Sequence, residues 1–199
     1  MINNIELIKP LLNFDNEGDF YMLYVFKRKK DQPEGERDNH QSVRTIKSYC
    51  VTSIEYLEKR YDEIIQLCEV FKARAYIHVV KQNHKDVSLN MITEIVTRIQ
   101  SGQINQQHVF DSVVGQIKTT EKRWIIDVDD EDTKELVKIT SLINSLRPEG
   151  HKLEACIPTK NGYHLITKRF DTQMFKNVFP LIDIQKKNPT LLYYPNSLN

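Results

Sequence analysis

The chain has 199 residues, 40% of them hydrophobic and 28% charged, with a formal net charge of +1. That balance excludes a globally disordered chain, and it excludes nucleic-acid binding through overall positive charge, so any basic surface has to be local. The length suits one sizeable domain or two small, closely packed ones. No uncharged apolar run approaches the ~18–20 residues that cross a bilayer, and the N-terminal Met1-Ile-Asn-Asn-Ile-Glu6 lacks the pattern of a secretory signal. Cys50, Cys68 and Cys156 form no CxxC pair. A soluble, cytoplasmic protein with reduced thiols and no membrane partner is expected.

The first β-rich run is Phe20 to Phe26. Lys27 to Gln41 follows as a charged stretch with Pro33 and Gly35, and Val43 to Val51 alternates loosely, together predicting a hairpin with a long solvated loop. Thr52 and Glu55 stand at capping-box spacing before a helix whose apolar face is Ile54, Leu57, Tyr61, Ile64, Cys68 and Phe71. Arg74 to Val80 reads as a buried strand, and Ser88 to Gln100 and Gln106 to Ile117 as helices broken near Gly102.

The second half is more regular. Trp124 to Val128 is an apolar strand running into an acidic burst, from which Asp132 caps a helix with Leu136, Ile139, Leu142, Ile143 and Leu146 on its apolar face. Leu153 to Ile157 and Tyr163 to Thr167 form two strands around a Pro- and Gly-containing turn. Asp171 to Phe179 fits a short helix, and Thr190 to Tyr194 is expected to close the unit. The order β-α-β-β-α-β predicts a ferredoxin-like, RNA-recognition-motif-like layer at residues 121–199, packed against an α/β unit at residues 1–120.

Three segments carry chemistry. Asp127 and Asp129 alternate at the end of a predicted strand, so while the chain stays extended both carboxylates point to one side. Hard cations such as Mg²⁺ or Mn²⁺ take such oxygen ligands and leave positions for water and phosphate. The same acids also read as a solvated loop entering a helix N-terminus, and Asp130, Glu131 and Asp132 mostly do so. His164 lies mid-strand after the turn that holds Thr159 and Lys160, whose donors suit a triphosphate. Asp183 follows an apolar stretch and reads equally as a turn aspartate.

Taken together, Ile125-Ile-Asp-Val-Asp129, Thr159-Lys-Asn-Gly-Tyr-His164, Ile182-Asp183 and Leu192-Tyr-Tyr-Pro-Asn-Ser-Leu198 resemble, in order and approximate spacing, the motifs of the archaeo-eukaryotic primase superfamily. The resemblance covers the last 80 residues or so. It implies a primase/polymerase-like nucleotidyltransferase in which Asp127, Asp129 and Asp183 hold two catalytic metals, Mg²⁺ or Mn²⁺. Thr159, Lys160, Tyr163 and His164 would bind the incoming nucleotide. Thr159 replaces the family's usual Ser, Lys160-Asn161 stands where Gly is frequent, Tyr193 or Tyr194 where a phosphate-contacting Arg is common, and Asn199 where some members have His.

Implied partners are nucleoside triphosphates, a DNA or RNA template and a helicase or other replication protein. Lys27, Arg28, Arg44 and Lys47 are candidate template contacts, although charged loop tips are usually solvated faces. Two rival readings stand beside this one. The first is a catalytically inactive primase-fold protein that binds nucleic acid or serves replication. The second is a metal-dependent nuclease using the same acids.

Overall fold

The computed structural model describes residues 1–32, 43–103, 105, 108–117, 122–129 and 133–198, apart from the side chains of Lys30 and Thr133. The protein is mixed α/β, with two antiparallel sheets and six α-helices among the described residues. In chain order these are β1 (Ile2–Asn3), α1 (Ile5–Ile8), β2 (Asp19–Arg28), β3 (Val43–Val51), α2 (Ile54–Phe71), β4 (Arg74–Ile77), β5 (Gln82–Asn83), α3 (His84–Gln100) and α4 (Val109–Gln116). The second half adds β6 (Arg123–Val128), α5 (Thr133–Ser145), β7 (Leu153–Pro158), β8 (Tyr163–Lys168), α6 (Thr172–Val178), β9 (Asp183–Gln185) and β10 (Thr190–Tyr194). No helix among the described residues is long and apolar enough to cross a membrane.

The larger sheet runs β1-β10-β4-β2-β3, with β5 paired to the start of β2. Alternation along β2 sends Tyr21, Leu23 and Val25 to one face, where they join Leu57, Tyr61, Ile64 and Cys68 of α2 in the main core. Phe20 and Met22 go to the other face and pack with Val87 of α3 and with Val109, Val113 and Val114 of α4. The helix α2 starts one residue later than its sequence suggests. Ser53, extended at φ −162°, accepts the Tyr56 amide, and Thr52 lies outside the helix. α3 begins at His84 rather than Ser88, because Asn83 accepts the Lys85 amide and caps it.

The smaller sheet runs β7-β8-β6-β9. Trp124, Ile126 and Val128 of β6 and Leu165 of β8 face α5 and α6, where Ile139, Ile143 and Phe175 complete a second core. The opposite face carries Ile125, Ile157 and Ile166 into the main core, so both sheets share apolar contacts. Polar ties reinforce that junction. The Arg123 guanidinium pairs with Glu154 and donates Nη1 to the carbonyls of Leu11 at 2.7 Å and Val79 at 2.9 Å. The buried Asn4 amide donates Nδ2 to the carbonyls of Pro158 and Leu191, each at 2.9 Å.

One element departs from expectation. Thr190 to Tyr194 is not the last strand of the smaller sheet: β10 lies in the larger sheet between β1 and β4. All five of its residues are buried, because its neighbours on both sides and both faces are supplied by the N-terminal unit and the sheet junction. The fourth strand of the smaller sheet is instead β9, three residues long. The tip of the expected hairpin, residues 33–42, lies outside the described residues, as do the acidic residues 130–132 and Asn199.

Two measurements follow from this packing. Arg123→Leu leaves the Glu154 carboxylate and two carbonyls without their donor, and a loss of about 3 kcal/mol in urea-unfolding stability is expected. His78 is half-buried beside Tyr24, and loss of solvent around its imidazole pushes it down to about 4. The unfolded chain takes up that proton from about pH 6.5 downward while the folded chain does not, so this contribution is complete above about pH 6.5 and is lost on acidification. Between pH 7 and about 4 the native chain is expected to lose up to about 3 kcal/mol more than His78→Leu in parallel urea titrations.

Candidate active site

The site is built on the middle of the smaller sheet. β6 is flanked by β8 and β9, and the register sets Asp127 opposite His164 on one side and opposite Asp183 on the other. Residues directly across an antiparallel pair share a face, with Cβ atoms about 5 Å apart. Asp183, Asp127 and His164 therefore form one lateral row, and Ile157 of β7 continues it beyond His164.

Local chemistry explains why each element presents these groups. In β8, Tyr163, Leu165 and Thr167 alternate toward the helices, which leaves His164 and Ile166 on the other face. In β9, Ile184 packs with the second core, so Asp183 and Gln185 fall on the side of Asp127. The connection into β9 is held by Lys176, whose ammonium donates to the carbonyls of Ile182 at 2.6 Å and Pro180 at 3.2 Å.

The row is polarised. His164 is 6% exposed. Its Nδ1 lies 2.9 Å from the Thr190 hydroxyl and its Nε2 lies 3.5 Å from Asp127 Oδ1. Gln185 donates Nε2 to Asp127 Oδ2 at 3.0 Å. The neighbouring His164 imidazole, with the charge of Arg28 and the Gln185 amide, outweighs partial burial and holds the Asp127 carboxyl below the usual carboxylate range. The Asp183 side chain is exposed and has no hydrogen bond or ion pair among the described residues.

Carboxylate oxygens are the ligands that Mg²⁺ and Mn²⁺ prefer, and Mg²⁺ is commonly held by only one or two of them together with water and substrate phosphate. Asp127 and Asp183 fit that requirement. Asp129 stands just past the end of β6, exposed and without a partner among the described residues. Among the described residues no group of three or more Asp, Glu, His or Cys side chains is gathered as a metal cluster. The row is thus a pair of acids with a third nearby, not a closed cage.

The other candidates separate by face. Lys160 is exposed, with its ammonium 5.3 Å from the Tyr194 ring centroid and 3.4 Å from the Leu198 carbonyl. Thr159 closes its own turn, donating its backbone N–H to the Gly162 carbonyl at 2.8 Å, so that donor is already used. Tyr163 packs on the helix side of the sheet, away from His164. Lys47 is bound to Glu63 of α2 and lies against the Tyr49 ring, on the face opposite Tyr24 and Phe26. Lys27 and Arg44 oppose each other on that same α2 side, because only the β3 strand carries the bulge between Val25 and Phe26. Arg28 alternates to the other side, with its guanidinium 5.3 Å from the Tyr76 centroid, and its charge reaches Asp127.

Two contributors escaped sequence reasoning. Gln185 stands two residues after Asp183, a spacing that becomes informative only once the three-residue strand β9 is known. Thr190 had no signal, because its role depends on β10 joining the other sheet. Thr190→Val removes the Nδ1 partner of the buried His164 ring, and a loss of about 1–2 kcal/mol is expected in urea unfolding, with Thr190→Ser restoring most of it.

No protein-family model, curated protein or solved structure matches the chain.

Proposed function

We propose that the protein is a metal-dependent nucleotidyltransferase of the primase/polymerase type, extending a nucleic-acid strand on a DNA or RNA template from nucleoside triphosphates. The observation that carries this reading is the lateral row Asp183–Asp127–His164 on three adjacent strands. The strand order of the smaller sheet, with its two helices on one face, supports an RNA-recognition-motif-like arrangement as the platform for that row.

In this reading Asp127 and Asp183, joined by Asp129 from the strand end, hold Mg²⁺ or Mn²⁺. Such ions supply charge neutralisation on the transferring phosphate and activation of the attacking hydroxyl. The chain's own residues do the rest. Gln185 and His164 fix the Asp127 carboxylate, and its lowered pKa keeps it ionised across the working pH range. Thr190 in turn fixes the His164 ring. Arg28, whose charge reaches Asp127, and Lys160, on the turn between β7 and β8, are the cations that would receive phosphate oxygens. The reaction is attack of a 3′-hydroxyl on an α-phosphate, with pyrophosphate leaving.

A second reading rests on specific observations. Tyr194 is buried beneath the Arg74 guanidinium at 4.8 Å, the Thr159 amide is used within its turn, and no three-ligand cluster is preformed among the described residues. These favour a non-catalytic member of the same fold that binds nucleic acid or serves a replication assembly, with a helicase among its candidate partners.

The test is nucleotide incorporation with Mn²⁺ on several primed and unprimed templates. Incorporation is expected, falling at least about a hundredfold in Asp127→Asn/Asp183→Asn while the circular-dichroism spectrum is unchanged. Template binding without incorporation selects the second reading, and strand cleavage in the absence of nucleoside triphosphates selects a nuclease.

A further inference from the structure

A cavity lies away from the carboxylate row, toward the opposite end of β6. It has a volume of about 490 Å³, within the range of roughly 300–1,000 Å³ typical of small-molecule sites. Its walls include Met22 of β2, Val80 beyond β4, Val114 of α4, Ile117 and Trp124 of β6, an apolar surface with one flat aromatic ring.

Its lining also includes Lys122, Arg123, Arg169, Lys186 and Lys187, and no acidic residue among those described. These cations come from three separate places: the start of β6, the segment after β8 and the segment after β9. In a chain whose formal net charge is only +1, bringing five like charges to one concavity costs self-repulsion that an anion would relieve. Three of them have partners. Arg123 is committed to Glu154 and to two carbonyls, Lys187 donates to the Gly115 carbonyl at 2.9 Å, and Lys186 lies 4.9 Å from the Trp124 centroid. Lys122 and Arg169 are exposed and have no hydrogen bond or ion pair among the described residues.

A bare inorganic anion would use the cations and leave the apolar wall wet. An uncharged ring would cover the wall and leave the cations unpaired. A ligand with both parts satisfies both. We propose that this cavity binds an organic phosphate bearing a planar ring, of nucleoside-phosphate size, with its phosphates at Lys122 and Arg169. The site is separate from the Asp127–Asp183 row and does not depend on what that row does.

Trp124 is the only tryptophan in the chain, so its emission reports on this cavity directly. The titration uses the full chain carrying Asp127→Asn, with EDTA present, so that metal-dependent binding at the carboxylate row does not contribute. ADP, adenosine and inorganic pyrophosphate are compared as probes. Saturable change with ADP is expected, with adenosine and pyrophosphate each at least tenfold weaker, and with ADP binding at least tenfold weaker in Lys122→Ala/Arg169→Ala. Pyrophosphate as tight as ADP, adenosine as tight as ADP, response to an oligonucleotide alone, or no response at all would each overturn the proposal. Amide chemical-shift changes on adding ADP to the unmodified chain in EDTA provide a second readout. They are expected at Met22, Val114 and Trp124, and a cluster at His164 and Asp183 instead would also overturn it.

Discussion

The register of β6 between its two neighbours is the constraint on which the site depends. One strand position, Asp127, is paired with His164 on one side and Asp183 on the other. Slipping either neighbour by one residue would turn its side chains to the opposite face and break the row. That register is fixed by packing, not by the polar groups. Trp124, Ile126 and Val128 are bound into the core beneath α5 and α6, while Ile125 is bound into the core shared with the larger sheet. With both faces of β6 buried along most of its length, a slip would expose large apolar area at roughly 25 cal/mol per Å². The apolar residues therefore position the acids.

The exchange of β10 into the larger sheet adds the second constraint. The chain leaves the smaller sheet after β9, runs past Lys186 and Lys187, and pairs with β4 and β1. Its first residue, Thr190, is fully buried and meets the His164 ring from the other unit. Asn4 spans the same junction from the N-terminal side, tying the end of β7 to β10. The imidazole is consequently gripped by both halves of the protein, and neither half alone contains the complete site.

Much of this was legible in the sequence, and the rest was not for identifiable reasons. Alternation located β6 and β8, which carry Asp127 and His164, and helical spacing located α2, α5 and α6, because these signals depend on neighbours in the chain. β9, with Asp183, is three residues long and escaped them. Sheet membership does not depend on chain neighbours. The run Thr190-Leu-Leu-Tyr-Tyr194 reads as a buried strand whichever sheet receives it, and only the packing of the two units decides. Ser53 displaced Thr52 as the cap because both are short hydroxyl residues one step apart, separated only by where the backbone turns helical. The facing of Arg44 and Tyr163 follows from a bulge and from strand parity, and a list of basic and aromatic residues contains neither. The cavity lined by Trp124 is assembled from distant segments and leaves no motif at all.

The asymmetry between the two paired acids bears most directly on chemistry. Each carboxylate offers about four lone-pair positions. Asp127 commits part of this capacity to the Gln185 amide, and its second oxygen faces His164, whereas Asp183 commits none among the described residues. A group fixed on one side and open on the other is a rigid anchor beside a free ligand, so an incoming cation would meet one carboxylate already oriented and one able to adjust. In the nucleotidyltransferase reading, water and substrate phosphates would fill the positions that two carboxylates leave open on Mg²⁺. Arg28, whose charge reaches Asp127, is the cation beside the row that would meet those phosphates, so in that reading substrate selection would fall to it more than to the acids.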